Sequence, residues 1–179
     1  MIQQFKTHIW GYIEYHTSAL YHATDTVLHR LDRLQKHFLE EIDITEQVAF
    51  LDYNFAPLGL RRDIGVLGFL HKRVLNECHP AVREFLLLDE PANAWHDKQI
   101  YTYMERCTTR HALYERSLFG AINVYNRLMP YLVDLPTVSK FQRELTWLAK
   151  LRCQRGDSDW KYAFKSTSQA WRTRLALDQ

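Results

Sequence analysis

PLGLRRDIGVLGFLHKRVL, residues 57–75, is the stretch whose reading decides the fold. Pro57 suits a first helical residue, because the N–H it lacks would have no partner at a helix start. Behind it, Leu58, Leu60, Ile64, Val66, Leu67, Phe69, Leu70, Val74 and Leu75 cover most of a helix circumference. A helix that is apolar nearly all round is buried among other elements rather than laid on a surface. Gly65 and Gly68 each cost about 1 kcal/mol of helix propensity against Ala. Both are read as places where another helix comes close. Two groups of charge interrupt the apolar surface, Arg61-Arg62-Asp63 and His71-Lys72-Arg73.

Working outward, DTVLHRLDRLQKHFLEEI (25–42) is the clearest amphipathic helix. Val27, Leu28, Leu31, Leu34, Phe38 and Ile42 recur at three- and four-residue steps. Thr24 or Asp25 can cap it. Arg30, Arg33 and Lys36 fall on the polar side, with His29, His37, Glu40 and Glu41. Residues 2–21 read as a helix rich in aromatics, which begins without a cap, as if inside a longer chain. Asp43 can cap a short helix running to about Tyr53, with Glu46 in its first turn. Pro80 starts another short helix.

Residues 89–97, DEPANAWHD, lose periodicity and gather Pro, Asn and Asp, so they read as a linker. Beyond it, Ile100, Tyr103, Met104, Cys107 and His111 fit helical spacing. SLFGAINVYN (117–126) is too short to choose between strand and helix. Pro130 and Pro136 bracket a loop or a single turn. Thr137 can cap a helix with a Val138, Phe141, Leu145, Leu148, Leu151 stripe, and Gly156 stands where a helix stop belongs. A short helix and then fraying are expected after it. The expected class is all-α: an irregular multi-helix bundle around a buried helix near 57–75, with one short strand or hairpin near 117–126 as the exception to it.

Composition narrows the function. The chain has 179 residues, enough for one domain or two small subdomains. No run of about 18 apolar residues occurs, so no membrane partner is expected. The N-terminus has no basic stretch followed by an apolar core, so it is no signal peptide. Three scattered cysteines, Cys78, Cys107 and Cys153, fit free thiols inside the cell, in cytoplasm or nucleus. The net charge of +2 is small, but residues 137–179 hold nine Lys/Arg against four Asp/Glu. A basic C-terminal part suits an anionic partner or simply a solvated surface.

Catalytic and metal chemistry find little support. Cys107 and His111 are four apart and Cys78-His79 adjacent, but a structural zinc needs four ligands at recognisable spacing. No HExxH, GxSxG or GxxxxGK[ST] motif occurs, and no aspartate pair on a hairpin. His16, His22 and Asp52 have no evident catalytic partner. No metal, cofactor or independent enzymatic activity is therefore expected. Arginine is suited to bidentate phosphate contacts. Arg30, Arg33, Lys36, Arg61, Arg62, Lys72 and Arg73 are the candidate nucleic-acid contacts, and salt bridges to Asp32, Asp63 or Glu77 would explain some of them equally.

Four stretches carry a resemblance: GYIEYHTSALYHATDTVLHRLDRLQKHFL (11–39), APLGLRRDIGVLGFLHKRVL (56–75), RSLFGAINVYNRLMPYLV (116–133) and VSKFQRELTWLAKLRCQRG (138–156). In that order they resemble the region after the catalytic palm in reverse transcriptases of non-LTR, LINE-like retrotransposons. The likeness runs from about Trp10 to Trp160. It departs from the family's usual Leu-Pro turn in having Met129 before Pro130. The resemblance implies a thumb-like helical bundle over residues 1–88 and a post-thumb helical segment over 98–179. The palm aspartates of such a polymerase lie upstream and are absent here. Implied partners are RNA or an RNA–DNA hybrid and the parent's palm and fingers. The helix 25–42 would then be the thumb helix, with Arg30, Arg33 and Lys36 toward the nucleic-acid backbone. The other reading is a helical scaffold or protein-interaction module from a decayed element, binding no nucleic acid.

Overall fold

A computed structural model describes residues 1–15, 23–89, 98–101 and 117–165. The chain starts as a continuous helical run: α1 (Ile2–Phe5), a π-helical turn (Lys6–Trp10) and α2 (Gly11–Tyr15). Then come α3 (Asp25–Glu41), α4 (Glu46–Tyr53), α5 (Leu58–Val74) and α6 (Pro80–Phe85). Two-residue strands β1 (Leu88–Asp89) and β2 (Gln99–Ile100) pair antiparallel. The second half holds α7 (Leu118–Tyr125), α8 (Pro130–Val133), α9 (Val138–Gln154) and a 3₁₀ turn (Trp160–Tyr162). The protein is mainly helical, as the apolar periodicity requires.

The helix from the deciding stretch is central. α5 packs most extensively against α9, and it also meets α7, α3 and the 3₁₀ turn. Leu60, Ile64, Leu67 and Leu70 are all buried in the larger of two hydrophobic clusters. That cluster also takes Ile122, Val124, Phe141, Leu145, Ala149 and Trp160, so its side chains come from both sides of residues 90–97. Trp160 stacks on Phe50 with centroids 4.9 Å apart. Each such aromatic pair adds about 0.5–1.5 kcal/mol beyond its buried area. The smaller cluster joins Phe5, Trp10, Leu39, Phe55 and Leu58, with Trp10 stacked on Phe55 at 4.3 Å. It fastens the N-terminal helical run to α3 and the start of α5.

Turn chemistry explains most boundaries. Pro57 is the N-cap of α5 rather than its first residue. Asn54 closes α4 in the left-handed region, at φ 51°, which asparagine tolerates better than most residues. Thr137 Oγ1 accepts from the Lys140 amide at 3.3 Å, the cap expected of it. Gly156 has φ 75° just beyond α9, and the Asp157 amide reaches back to the Arg152 carbonyl, as in a Schellman stop.

Several expectations are corrected. The cap of α4 is Thr45, whose hydroxyl accepts from the Val48 amide, while Asp43 sits in the preceding turn at φ 54°. Residues 118–125 are helical, and the strand pair lies instead at 88–89 and 99–100, where Ile100 leaves the expected helical run. The close-approach reading of glycine holds at Gly68, where a Cβ would run into the Gln142 side chain, but not at Gly65, which faces open space. The apolar stripe of α3 is turned from its sequence phase. Gln35 and Leu39 are its buried residues, whereas Val27 and Leu34 are more than 40% exposed. Gln35 takes a core place because its amide nitrogen donates to the Ala56 carbonyl at 3.0 Å. The expectations for Tyr103, Met104, Cys107, His111, His16, His22, most of the 89–97 linker and the end of the chain fall outside the described residues.

Candidate nucleic-acid interface

α3 keeps its buried residues on one side and its basic ones on the other. With about 100° per residue, Arg30, Arg33 and Lys36 centre roughly opposite the Gln35–Leu39 side. All three are exposed. Lys36 pairs with Glu40 one turn on, at 3.6 Å, a contact between exposed groups worth a few tenths of a kcal/mol. Arg30 and Arg33 make no ion pair among the described residues. His37 lies near both Glu40 and Glu41, so the C-terminal end of this face is mixed in charge.

The basic residues of α5 have other roles. Arg62 is 9% exposed, and its Nη2 donates to both carboxylate oxygens of Asp32, at 3.0 and 3.2 Å. This charge-assisted contact from a single nitrogen joins α5 to α3, the helix that carries the basic face. Arg62 Nη1 is buried without a partner among the described residues. Arg73 is also buried, and its Nε donates to the Leu86 carbonyl at 2.6 Å, tying α5 to the end of α6. Arg61 lies over the Trp10 ring, 4.0 Å from its centre. Lys72 alone of the α5 candidates is exposed. The structure thus brings Arg30, Arg33 and Lys36 onto one open face and turns Arg62 and Arg73 into interior fastenings.

Position 63 is a strained place for a charge. Burial pushes the Asp63 carboxyl up to about 7, outweighing the nearby Arg62 and Lys165 charges. A group protonated more readily when folded contributes stability at low pH and loses it as pH rises through its folded pKa. Asp63→Asn should therefore raise Tm relative to the parent at pH 8, and the gain should shrink at pH 5. Thermal melts at the two pH values check this, and an unchanged difference would mean that the carboxylate is well solvated.

In the sequence His71 belongs to a group of charge that interrupts the apolar surface of this helix. It is instead fully buried, stacked on Phe141 at 4.2 Å. Its Nε2 faces the Leu135 carbonyl at 2.9 Å and its Nδ1 faces the Tyr125 hydroxyl at 3.0 Å. A carbonyl only accepts, so the proton of the neutral ring belongs on Nε2, and Nδ1 accepts from the tyrosine. Burial lowers the pKa of His71 and raises that of Tyr125, which keeps both neutral. The signal was present: position 71 continues the Leu60, Ile64, Leu67 row at three- and four-residue steps.

α9 offers a second basic strip. Lys140 and Arg143 are exposed beside Trp147, itself 50% exposed. Other basic side chains of this half are engaged internally: Lys150 with the Leu51 carbonyl, Arg152 with Asp157, and Lys161 with Glu46. Among the described residues no group of three or more His, Cys, Asp or Glu is placed to hold a metal ion. No helix among them is long and apolar enough to cross a membrane. Cys153 is buried, and burial raises its thiol pKa, which disfavours the reactive thiolate.

No known protein family, curated protein or solved structure matches this chain.

Proposed function

We propose that the chain is a non-catalytic helical module of a retroelement reverse transcriptase, contacting RNA or an RNA–DNA hybrid through Arg30, Arg33 and Lys36. One observation supports this reading most. The three side chains stand exposed on the side of α3 away from its packed face, and two of them have no ion pair among the described residues. Such a face can meet a phosphate backbone without any change in the core. Contacts of this kind are independent of sequence and weaken with salt. The resemblance of residues 11–39 and 56–75 to the thumb region supplies the partner. RNA-directed DNA synthesis in this reading belongs to a palm in the parent protein.

A second reading is favoured by a different observation. Arg62, Arg73, Arg152, Lys98 and Lys161 are spent on intramolecular bonds, which is how a scaffold uses its charge. The readings separate in a mobility-shift assay with an RNA–DNA hybrid. Under the nucleic-acid reading the parent shifts the hybrid. Arg30→Gln, Arg33→Gln and Lys36→Gln combined then weaken binding about tenfold or more, since three exposed charged contacts of up to about 1 kcal/mol each are lost. The Tm stays within a few degrees, as for other surface changes. Failure of the parent to shift any hybrid or RNA favours the scaffold.

A further inference from the structure

α9 has one side in the core and one in the open. Phe141, Leu145, Ala149 and Cys153 are its buried residues, and all four belong to the larger cluster. On the opposite side Lys140 and Trp147 stand two turns apart, and Arg143 lies one turn before the tryptophan. Trp147 is 50% exposed. Lys140 and Arg143 are exposed and make no ion pair among the described residues. Glu144 is the only acidic residue of α9, so this side keeps a positive balance.

Next to the tryptophan the surface is apolar. Trp147 lines a cleft of about 400 Å³ with Tyr131, Leu148 and Leu151, and Tyr131 is about half exposed. An aromatic ring left half in water, with cations one and two turns away, suits an unpaired base and its flanking phosphates together. A base inside a duplex is already paired and stacked, so such a ring favours a single strand. A protein partner fits less well. Lysine and glutamate are depleted in protein–protein interfaces, and Lys140 and Glu144 both border this surface.

We propose that this face of α9 binds single-stranded nucleic acid, with an unpaired base stacked on Trp147 and the flanking phosphates on Lys140 and Arg143. The inference rests on α9 and is independent of the role given to α3. The test uses the full chain carrying Arg30→Gln, Arg33→Gln and Lys36→Gln, so that any contact through α3 is already removed. Fluorescence anisotropy follows a labelled single-stranded uridylate oligomer and an abasic oligomer of equal length. The uridylate oligomer is expected to bind the more tightly. Trp147→Ala should weaken its binding about tenfold, through the loss of one stacked base, and leave the abasic oligomer nearly unaffected. Trp147→Phe should restore most of the difference. Lys140→Gln combined with Arg143→Gln should weaken both oligomers, by up to about tenfold. These positions are exposed, and a Tm within a few degrees of the parent's shows that the fold is retained. No binding of the uridylate oligomer, equal affinity for the two oligomers, or indifference to Trp147→Ala would overturn the proposal. So would displacement by polyglutamate as effective as that by unlabelled uridylate oligomer of equal charge, which would assign the face to an acidic protein.

Discussion

Ile64→Asp is expected to abolish cooperative folding. Ile64 is 7% exposed and belongs to the larger cluster, on the helix that packs against α9, α7, α3 and the 3₁₀ turn. The change removes a buried side chain worth about 1.5–3 kcal/mol and puts a carboxylate in its place. Burying that group without a partner costs several kcal/mol more, or forces it to stay protonated. A domain has only about 5–15 kcal/mol to lose. The variant should lose its near-ultraviolet circular dichroism and its sharp thermal transition. Lys72→Asp, on the exposed side of the same helix, should melt within a few degrees of the parent. An Ile64→Asp protein that melts like the parent would show that α5 does not organise the core.

The next largest effect is expected at His71. His71→Leu fills the space but removes the hydrogen bonds that His71 makes with the Leu135 carbonyl and the Tyr125 hydroxyl. A buried polar group that loses its bond costs about 1–3 kcal/mol. The stacking on Phe141 is lost as well. The pH dependence has a definite sign. The folded pKa of His71 lies below the ordinary value, because burial disfavours the charged ring. Its contribution is therefore complete above the unfolded pKa of about 6.5 and is lost as pH falls through the folded value. Protonation would also end the bond in which Nδ1 accepts from Tyr125. Urea unfolding at pH 8 and pH 5 should show the deficit of His71→Leu relative to the parent shrinking as pH falls, because Asp63 acts in the opposite sense but equally in both proteins. An unchanged deficit would mean that His71 carries no acid sensitivity.

Period alone made the long helices legible. α3, α5 and α9 each place apolar residues at three- and four-residue steps, and Thr137, Pro57 and Gly156 mark ends that backbone chemistry dictates. The phase of α3 was harder to read. A glutamine in the core and a leucine outside invert the simple rule, and only the Ala56 carbonyl across the interface explains Gln35. The run 117–126 was ambiguous because so short an apolar-rich stretch satisfies either period. The Ser117 hydroxyl, which accepts from the Phe119 amide, is the local cue for its helical start. The basic face of α3 was readable, since nothing but helical geometry is needed to put Arg30, Arg33 and Lys36 together. The fates of Arg62 and Arg73 were not, because they depend on Asp32 and Leu86, brought near only by packing. For His71 the row of Leu60, Ile64 and Leu67 signals burial but not its partners Tyr125 and Leu135.

The salt dependence of hybrid binding tests the proposed role of α3 most directly. Three phosphate contacts release counterions in proportion, so log K against log salt should fall with a slope of about −2 to −3 from this face. The parent chain, titrated with an RNA–DNA hybrid across a range of potassium chloride, should show at least that slope. The Arg30→Gln, Arg33→Gln, Lys36→Gln variant should show a slope flatter by about that amount, at unchanged Tm. Identical slopes and affinities for the two proteins would contradict the account and remove the basic face of α3 as the point of contact.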